Sequence, residues 1–357
     1  MQVYKKYNPS IEVDLFFYVT KTILLSFIFI KKGFMNKKVL DFDVLLKNVQ
    51  AFKGKKVCAM VKDNAYGHGL CEIVGALKGR VEFFGVCLFS EALDVRKICD
   101  TKILIVSPFV DIEKCKKYGF HFFVQDLNML KKAITLDCLD LVHIKLNIGM
   151  NRYGFDIENK KLLKELRLML KNRHIAGICT HFPCLDNKKT TKKQYKKFLR
   201  IKNFLGIDTL VHLGGSGVFG YDFDFDMIRV GIGLYVGKGG QVMKIFSEIM
   251  DIKEVEKGKL GYDGLFEIKK HTKVAVIPIG YADGLLRYSS GGFVEINKKS
   301  CKIIGNICMD ICFVDVTDVD CKIGDRVDVL PDVFKLARHN QESIYEILTN
   351  FNNLREK

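Results

Sequence analysis

The chain has 357 residues, of which 48% are hydrophobic, 11% aromatic and 27% charged, so it is long and apolar enough to bury a large core. This composition excludes the disordered, collagenous and coiled-coil classes of protein. The net charge of +16 at pH 7 would suit nucleic acid if it formed one patch. The lysines are instead spread along the chain, which favours a solvated basic surface and no nucleic-acid partner.

An apolar run from Leu15 to Ile30 lies near the amino terminus and contains Lys21. It is shorter than the roughly 20 apolar residues that a membrane-spanning helix needs. No small-residue cleavage site of a signal peptide follows it. Because Met35 opens a segment with the pattern of an ordinary domain, we interpret residues 1–34 as an extension outside the functional fold. A membrane anchor is the alternative interpretation.

From Val57 onward, short β-branched runs alternate with longer amphipathic ones, a pattern typical of βα repeats around a parallel sheet. Strands are predicted at 57–61, 83–89, 102–106, 121–124, 141–146, 175–181, 209–213 and 227–231. Helical patterns at 91–98, 159–171 and 192–205 fill several of the gaps, although none is evident after the seventh strand. Repeats of this kind close into a (β/α)8 TIM barrel, which we assign to residues 35–241. Its functional residues are expected after the carboxyl ends of the strands.

Beyond residue 240 the pattern changes, because strand-like runs follow one another without amphipathic helices between them. These runs lie at 242–252, 272–279, 293–296, 302–316 and 326–330, and a last helix is predicted at 341–348. They predict a mainly antiparallel β domain at residues 242–357. The fold class is therefore α/β, a (β/α)8 TIM barrel followed by a C-terminal mainly antiparallel β domain.

The cysteines are spread from Cys58 to Cys321, and no pair has C-x-x-C spacing. In a chain of this length the pattern favours a reducing, cytoplasmic environment over a disulfide framework. His174, Cys179, His181 and Cys184 lie close enough in sequence to suggest four zinc ligands. Cys184 follows a proline, however, and Cys179 and His181 belong to a predicted strand, so we predict no metal site.

The segment that carries the most chemical information is V-C-A-M-V at 57–61, followed by K-D-N-A-Y-G-H-G at 62–69. The apolar strand ends where a barrel would bring the side chain of Lys62 to its mouth. A partly desolvated lysine at such a place can condense with an aldehyde to form a Schiff base. An ordinary surface lysine at the end of a strand is the alternative interpretation.

The segment at 62–69 resembles the pyridoxal-phosphate lysine motif of the alanine racemase family, the fold-type III pyridoxal-phosphate enzymes. Further blocks match this family in order, and they are K-L-N-I-G-M-N-R-Y-G at 145–154, T-H-F at 180–182, H-L-G-G-S at 212–216, I-R-V-G-I-G-L-Y at 228–235, P-I-G-Y-A-D-G at 278–284, I-G-N-I-C-M-D at 304–310 and Y-E at 345–346. The resemblance covers about residues 36–350. It implies a (β/α)8 barrel followed by a β domain, in agreement with the pattern of predicted elements.

The resemblance implies a cytoplasmic homodimer that interconverts L-alanine and D-alanine with pyridoxal 5'-phosphate and supplies D-alanine for peptidoglycan. Lys62 would hold the cofactor and act as one of two bases. Tyr281 of the partner subunit would be the other base, on the opposite face of the substrate Cα. His181 and Arg229 resemble residues that neighbour this tyrosine, and Arg229 also resembles the arginine that faces the pyridine nitrogen of the cofactor.

The remaining site residues are implied by the same resemblance. The cofactor phosphate would be bound by Tyr66, Ser216, the amide of Gly231 and Tyr345. Arg152 would contact the phenolic oxygen of the cofactor and the substrate carboxylate, and its planar fork of donors suits both tasks. Met309 would bind that carboxylate through its backbone N–H. Lys145 matches a lysine that is carbamylated in some members of the family.

The sequence departs from the usual pattern of the family at several positions. Asn147 replaces a common aspartate, Gly214-Gly215 replaces Ala-Asn, and the Arg-x-x-Arg ending is absent. These departures leave both expected bases in place, but they put the phosphate loop, the dimer contacts and the breadth of substrates in question.

Four rival functions have some support in the sequence. The G-x-G-x-x-G pattern at 215–220 suggests dinucleotide binding, but an extended pattern follows it where that motif requires a helix. A non-catalytic pyridoxal-phosphate carrier would share the barrel but would lack the β domain and Tyr281. The nearest enzymatic rivals are a racemase of broad specificity and a barrel-type amino-acid decarboxylase, and the first of these would differ mainly in the residues that line the pocket.

Overall fold

The computed structural model describes residues 36–355 of the chain. The extension assigned to residues 1–34, with its apolar run, lies outside the described residues. Among residues 36–355, no helix has both the length and the apolar character that a membrane crossing requires.

The first part of the described chain is built around a ring of parallel strands. Its strands are β1 (Lys37–Leu40), β2 (Lys56–Met60), β3 (Phe83–Val86), β4 (Lys102–Ile105), β5 (His121–Val124), β6 (Val142–Asn147), β7 (Phe155–Asp156), β8 (Gly177–His181), β9 (Leu210–Gly214) and β10 (Met227–Val230). The ring runs β2-β3-β4-β5-β6-β8-β9-β10, and β10 closes it by pairing with β2. This closed parallel ring confirms the predicted barrel.

The helices of the barrel mostly follow its strands and turn one apolar stripe toward them. They are α1 (Phe42–Gln50), α2 (Lys62–Tyr66), α3 (Leu70–Leu77), α4 (Phe89–Ile98), α5 (Ile112–Tyr118), α6 (Leu127–Thr135), α7 (Lys160–Leu170), α8 (Lys188–Leu205) and α9 (Ile232–Tyr235). The short segment α2 is an exception, because the φ angles of Asp63, Asn64 and Ala65 are positive and it forms a left-handed turn. In α7, for example, Leu163, Leu166 and Leu170 are buried at the spacing of one helix face, and Asn159 caps the amino terminus. After β9 a short 3-10 helix, Ser216–Gly220, stands where the sequence showed no amphipathic pattern.

The second part of the described chain is a mainly antiparallel β domain, as predicted. Its strands are β11 (Val236–Gly237), β12 (Gly240–Gln241), β13 (Met243–Glu248), β14 (Asp251–Val255), β15 (Gly258–Leu260), β16 (Phe266–Ile268), β17 (Thr272–Ile277), β18 (Phe293–Ile296), β19 (Lys299–Ile304), β20 (Cys312–Asp315) and β21 (Arg326–Asp328). The large sheet has the order β1-β13-β21-β18-β19-β20-β17-β14. Two helices, α10 (Val333–Asn340) and α11 (Ile344–Asn350), follow it.

Strand β1 belongs to the sheet of the β domain rather than to the barrel. It pairs antiparallel with β13, with Lys38 opposite Ile245. The region assigned to the barrel, residues 35–241, therefore begins with a strand that completes the other sheet. The sequence pattern of one short strand does not specify its partner, because that pairing joins residues about 200 positions apart.

The run predicted at 302–316 is two strands separated by a loop. Strand β19 ends at Ile304 and β20 begins at Cys312. The loop between them carries Met309, which is 52% exposed. Because the loop itself contains Ile307 and Cys308, both buried, its sequence is as apolar as the strands on either side.

Candidate active site

A cavity of about 260 Å³ lies at the carboxyl ends of the barrel strands, the end at which barrel enzymes place their functional residues. Its lining includes the predicted cofactor-binding residues, namely Lys62, Tyr66, Arg152, His181, Ser216, Arg229, Gly231 and Tyr345. Lys145 also lines it. These side chains come from segments far apart in the chain, so the closed ring is what brings them together.

Lys62 stands at the start of an unusual left-handed turn. Asp63, Asn64, Ala65 and Tyr66, which follow it, have φ angles of 57°, 48°, 55° and 55°. A left-handed conformation costs about 1–2 kcal/mol for each L-residue that carries a Cβ atom. The sequence predicts only that the strand ends before Lys62. Alanine and tyrosine give no signal for a left-handed conformation, so surrounding contacts must hold it.

Hydrogen bonds from neighbouring elements hold this turn in place. The backbone N–H of Asp63 donates to Glu91 Oε1 at 2.5 Å, and Asn64 Oδ1 accepts from the backbone N–H of Leu70 at 2.7 Å. Lys38 Nζ donates to the carbonyl oxygen of Gly67 at 2.6 Å, which ties the turn to strand β1. Hydrogen bonds from the barrel and from strand β1 therefore hold the strained backbone beside Lys62 in place.

Hydroxyl and amide donors of the cavity come from Tyr66 and from residues of three other segments, namely Ser216, Gly231 and Tyr345. Tyr66 is 7% exposed, and its ring centre lies 6.0 Å from that of Tyr345. Burial, followed by the nearby Tyr345 and Asp63, raises the pKa of the Tyr66 hydroxyl, so this group stays a neutral donor. Ser216 begins the 3-10 helix after β9, and Gly231 immediately precedes α9.

Another part of the cavity lining is cationic and is fixed by buried hydrogen bonds. Arg229 is 5% exposed. Its Nη2 donates to the carbonyl oxygen of Thr180 at 2.5 Å, and its Nη1 pairs with His212 Nδ1 at 2.7 Å. Burial, together with the neighbouring Arg229, lowers the pKa of His181 to about 3, so this imidazole is neutral at physiological pH.

Two further cations, Lys145 and Arg152, complete the cavity wall. Lys145 is 4% exposed, and burial, with Arg229 and Arg152 nearby, lowers its pKa to about 7. Arg152 lies in the loop after β6, and its guanidinium carbon is 5.0 Å from the centre of the Tyr153 ring. An amine with this pKa is partly uncharged at neutral pH, which makes Lys145 a nucleophile as well as a cation.

Tyr281 and Met309 are the predicted site residues that do not line this cavity. Tyr281 is 40% exposed and Met309 52% exposed. The backbone N–H of Tyr281 donates to the carbonyl oxygen of Cys308 at 3.0 Å, and that of Ala282 to the carbonyl oxygen of Met309 at 3.1 Å. The two residues therefore lie side by side on the surface of the β domain.

Several residues around the site were not found by sequence reasoning. His212 was noticed only as part of a sequence block that matches the family. His143, which contacts His212, and His121, which contacts His143, gave no signal beyond the pattern of their strands. Arg355 bridges the carboxylates of Asp283 and Asp310 at 2.7 Å each. The sequence showed only that the usual basic ending was missing, and not that a single arginine occupies this place.

The structure also bears on two of the rival interpretations. The G-x-G-x-x-G pattern forms the 3-10 helix Ser216–Gly220, and the chain is extended at Tyr221. It therefore lacks the helix that a dinucleotide-binding motif requires. Among the described residues, no group of three or more histidine, cysteine or acidic side chains is arranged to hold a metal ion.

Comparison with known proteins identifies one family over nearly the whole described chain. Residues 41–239 match the family model of the alanine racemase N-terminal domain, and residues 242–356 that of its C-terminal domain. An alanine racemase of Borreliella burgdorferi is 31% identical over 348 residues, covering 87% of this chain and 94% of its own. That of Fusobacterium nucleatum is 30% identical, covering 88% and 95%.

Solved structures agree with the sequence matches. Alanine racemase from Acinetobacter baumannii is 26% identical with a TM-score of 0.82, covering 89% of this chain and 97% of its own. Alanine racemase from Bartonella henselae with covalently bound pyridoxal phosphate is 26% identical with a TM-score of 0.81 and the same coverage. The chain therefore belongs to the alanine racemase family, and it is an isomerase.

Proposed function

We propose that this chain interconverts L-alanine and D-alanine with pyridoxal 5'-phosphate attached to Lys62. The observation that carries the proposal is the cavity at the barrel mouth, which gathers every residue expected to bind the cofactor. A relative that covers nearly the same length, the Bartonella henselae enzyme, holds pyridoxal phosphate covalently. Family membership and cavity lining thus support the same assignment.

The donor set of the cavity fits a phosphorylated aromatic aldehyde. An alanine Cβ at position 231 would lie 2.6 Å from the hydroxyl oxygen of Tyr66, so glycine leaves room beside that hydroxyl. Tyr66, Ser216 and Tyr345 supply hydroxyl groups at the cavity wall, where the backbone amide of Gly231 also lies. Hydroxyl and amide donors of this kind suit phosphate oxygens. An aldehyde requires an amine, and Lys62 provides it.

The reaction at the substrate Cα requires proton transfer on both faces. When bound, pyridoxal phosphate withdraws electrons from Cα and makes its hydrogen acidic. Lys62 then takes or returns a proton on one face of Cα. Tyr281 of the partner subunit does the same on the opposite face. A proton removed on one face and delivered on the other inverts the configuration, which is why two bases are needed.

The charged side chains of the cavity orient the substrate and limit charge on the cofactor. Arg152 binds the substrate carboxylate with its planar fork of donors, and the backbone N–H of Met309 is a second donor to it. Arg229 is held as a donor by Thr180 and His212, and beside a bound cofactor its charge would disfavour a second positive charge on the pyridine nitrogen. Neutral His181 is the neighbour of the tyrosine base.

A homodimer with shared sites is part of this proposal. Tyr281 and Met309 are exposed in a single chain and lie apart from the cavity that Lys62 lines. A second copy of the chain would bring both residues to that cavity. We also propose a cytoplasmic enzyme that supplies D-alanine for peptidoglycan, and the spread of the cysteines along the chain without C-x-x-C spacing favours a reducing compartment.

Borohydride reduction followed by peptide mapping tests the proposal. Reduction makes the bond between lysine and cofactor permanent, and the label is expected on the peptide that contains Lys62. Lys62→Met should abolish the label. Lys56→Met is a matched control, because Lys56 is exposed at the opposite end of the same strand. A label on another lysine, or a purified chain that remains colourless with the cofactor, would contradict the proposal.

The range of substrates is a separate question for the same enzyme. We propose alanine, and a panel of amino acids assayed for loss of optical rotation tests this choice. Loss of rotation confined to alanine would support it, whereas comparable rates with larger amino acids would indicate a racemase of broad specificity.

A further inference from the structure

Three buried histidines continue from Arg229 through the interior of the barrel. Arg229 Nη1 lies 2.7 Å from His212 Nδ1, His212 Nε2 lies 2.8 Å from His143 Nδ1, and His143 Nε2 lies 3.1 Å from His121 Nδ1. His212 and His143 are fully buried, and His121 is 8% exposed. The result is a continuous chain of side-chain hydrogen bonds, which we call the imidazole chain and define as His212, His143 and His121.

The direction of every hydrogen bond in the imidazole chain follows from Arg229. A guanidinium group only donates, so His212 Nδ1 must accept and His212 must carry its proton on Nε2. That proton is donated to His143 Nδ1, which places the proton of His143 on Nε2 as well. His121 Nδ1 accepts the last of these bonds. One tautomer is therefore required at all three positions.

The imidazole chain joins the two ends of the barrel. Arg229 lines the cavity at the mouth. His121 is the first residue of β5 and lines a separate cavity of about 540 Å³, whose lining also includes Lys102 and Asp140, at the amino-terminal ends of the strands. The imidazole chain therefore ends at His121, which lines this second cavity and whose Nε2–H is the last donor of the series.

The packing around the imidazole chain leaves little freedom to its rings. The ring of Phe83 lies 5.0 Å from that of His121 and 6.0 Å from that of His143. Position 177 on the neighbouring strand β8 is a glycine, and an alanine Cβ there would lie 2.5 Å from His143 Nδ1. The room for His143 thus exists because β8 carries no side chain at this point.

We propose that His143 and His121 are positioning residues that stabilise the tautomer of His212 required by Arg229 and thereby hold Arg229 in place for the reaction. Without His143, the Nε2–H of fully buried His212 would lose its acceptor, an arrangement that native proteins avoid. Since that tautomer would then leave a buried donor unpaired, its advantage would shrink, and the tautomer with Nδ1–H facing the donor Arg229 would gain population at the expense of the contact with Arg229. The functional part of this inference rests on the proposed role of Arg229, whereas the tautomers do not.

The charges around the imidazole chain keep it neutral. Arg229 and Lys145 lie near His212, and Lys102 near His121 and His143, and all three oppose an added proton. Asp140 acts in the opposite direction on His121, but burial dominates and lowers the pKa of His121 to about 4. An added proton would also turn one acceptor of the imidazole chain into a donor facing another donor.

Nitrogen NMR of the full chain with 15N-labelled histidine tests the tautomers directly. We expect His212, His143 and His121 each to show a bare Nδ1 and a protonated Nε2, with assignments from single-histidine variants. In His143→Leu the Nδ1 signal of His212 should move toward the protonated form. In His143→Gln it should stay, because the amide oxygen accepts and the amide N–H donates. A protonated Nδ1 on His212 in the unchanged chain would overturn the proposal.

Kinetics and the spectrum of the bound cofactor test the consequence for Arg229. His143→Leu should lower kcat for alanine about tenfold, with a smaller change in KM, and should shift the absorption of the bound cofactor. In His143→Gln, kcat and the absorption of the bound cofactor should stay close to those of the unchanged chain. The same is expected of His271→Gln, a control at an exposed histidine of the β domain.

Two further variants keep the test independent of how well His143→Leu folds. Gly177→Ala displaces the His143 ring without removing it, and His121→Phe removes only the last acceptor. Both should change the His212 signal in the same direction as His143→Leu. If all three variants leave that signal and kcat at the level of His271→Gln, the proposal is wrong. Because the NMR result does not depend on turnover, it separates failure of this inference from failure of the proposed function.

Discussion

Gly214 and Asn147 are two positions where this chain departs from the usual sequence of its family, and the structure gives each a physical setting. A Cβ atom at position 214 would overlap both His181 Nδ1 and Arg229 Nη2, so glycine permits their close approach. Asn147 Oδ1 accepts from the backbone N–H groups of Gly149 at 3.2 Å and Asn151 at 2.9 Å. A carboxylate could accept the same two bonds but could not donate, as Asn147 Nδ2 does, to Asn151 Oδ1 at 3.1 Å.

At the scale of single residues, Tyr281→Phe separates the two proposed bases. Removing the hydroxyl should slow proton exchange from one enantiomer, L-alanine, far more than from D-alanine, because each enantiomer presents its Cα hydrogen to a different base. General acid–base catalysis contributes roughly 10²–10⁴-fold, so the slower exchange should fall by at least tenfold. Exchange of the Cα hydrogen in deuterated water, started from each enantiomer separately, measures this difference.

Tyr262→Phe is the matched control for this experiment, because Tyr262 is 72% exposed in the same β domain. It should leave both exchange rates unchanged. Equal losses from the two enantiomers in Tyr281→Phe would count against a scheme with two bases.

Arg355→Ala tests whether one residue near the carboxyl terminus organises the surface that carries Tyr281 and Met309. The carboxylate of Asp283 is completely buried and accepts both from Arg355 Nε at 2.7 Å and from the backbone N–H of Gly280 at 2.9 Å. Because Gly280 precedes Tyr281, removing the arginine should loosen this turn. We expect kcat/KM for alanine to fall by about threefold or more through misplacement of the reacting groups.

The control for this arginine is Arg338→Ala, which removes an exposed arginine from α10. Steady-state kinetics of the two variants, together with the dimer content from ultracentrifugation, make the comparison. An Arg355→Ala enzyme with the kinetics of the control would show that the bridge does not position this surface.

At the scale of elements, regular repeats could be predicted from the sequence and irregular connections could not. The ring strands carry continuous apolar runs that the pattern marks to within a few residues, and the strand at 121–124 was placed with the correct ends. The left-handed turn at Asp63 to Tyr66 was missed, since those residue types do not prefer it. Helix α10 was missed as well, because eight residues hold only two turns of apolar pattern.

Gly67→Ala tests the contact between the left-handed turn and helix α11. Gly67 has a φ of 79°, and a Cβ atom there would overlap the carbonyl oxygen of Leu348 in α11. The substitution should destabilise the chain by roughly 1–3 kcal/mol and weaken cofactor binding, because α11 carries Tyr345. Urea unfolding and titration with pyridoxal phosphate measure the two effects.

Gly119→Ala is a control with the same backbone strain and no steric conflict. Gly119 has a φ of 66°, and nothing lies within 4 Å of its Cβ position. This variant should be destabilised only by the strain of a left-handed alanine, about 1 kcal/mol, and should keep its affinity for the cofactor. Equal effects at the two glycines would mean that α11 does not depend on this contact.

At the scale of the whole molecule, the barrel interior combines an apolar core with a polar column. Arg229, His212 and His143 lie inside a ring whose other buried residues are mostly aliphatic or aromatic. The identity of these residues was available from the sequence, but their mutual contact depends on the register between β5, β6, β9 and β10. That register follows from closure of the ring, which no local pattern encodes. The column could therefore be found only in the folded chain.

The histidines of the imidazole chain, together with His181, make the stability of the cofactor-free chain dependent on pH. Burial lowers the pKa of His121 to about 4 and that of His181 to about 3, and it lowers the pKa of His143 and His212 well below 6.5. In the unfolded chain each would titrate near 6.5. As the pH falls below about 6.5, the unfolded chain binds protons that the folded chain does not, so the free energy of unfolding decreases.

The expected loss is up to ~1.4 kcal/mol per pH unit for each histidine, and it is complete for His121 only below about pH 4. Urea unfolding in steps from about pH 7 to pH 5 measures this slope above the range in which most carboxylates titrate. His143→Gln, which removes one of these buried histidines, should have a shallower slope than the unchanged chain. A free energy of unfolding that stays constant over this range would show that the folded chain takes up protons on these histidines. The conclusion that they stay neutral in the folded chain would then be wrong.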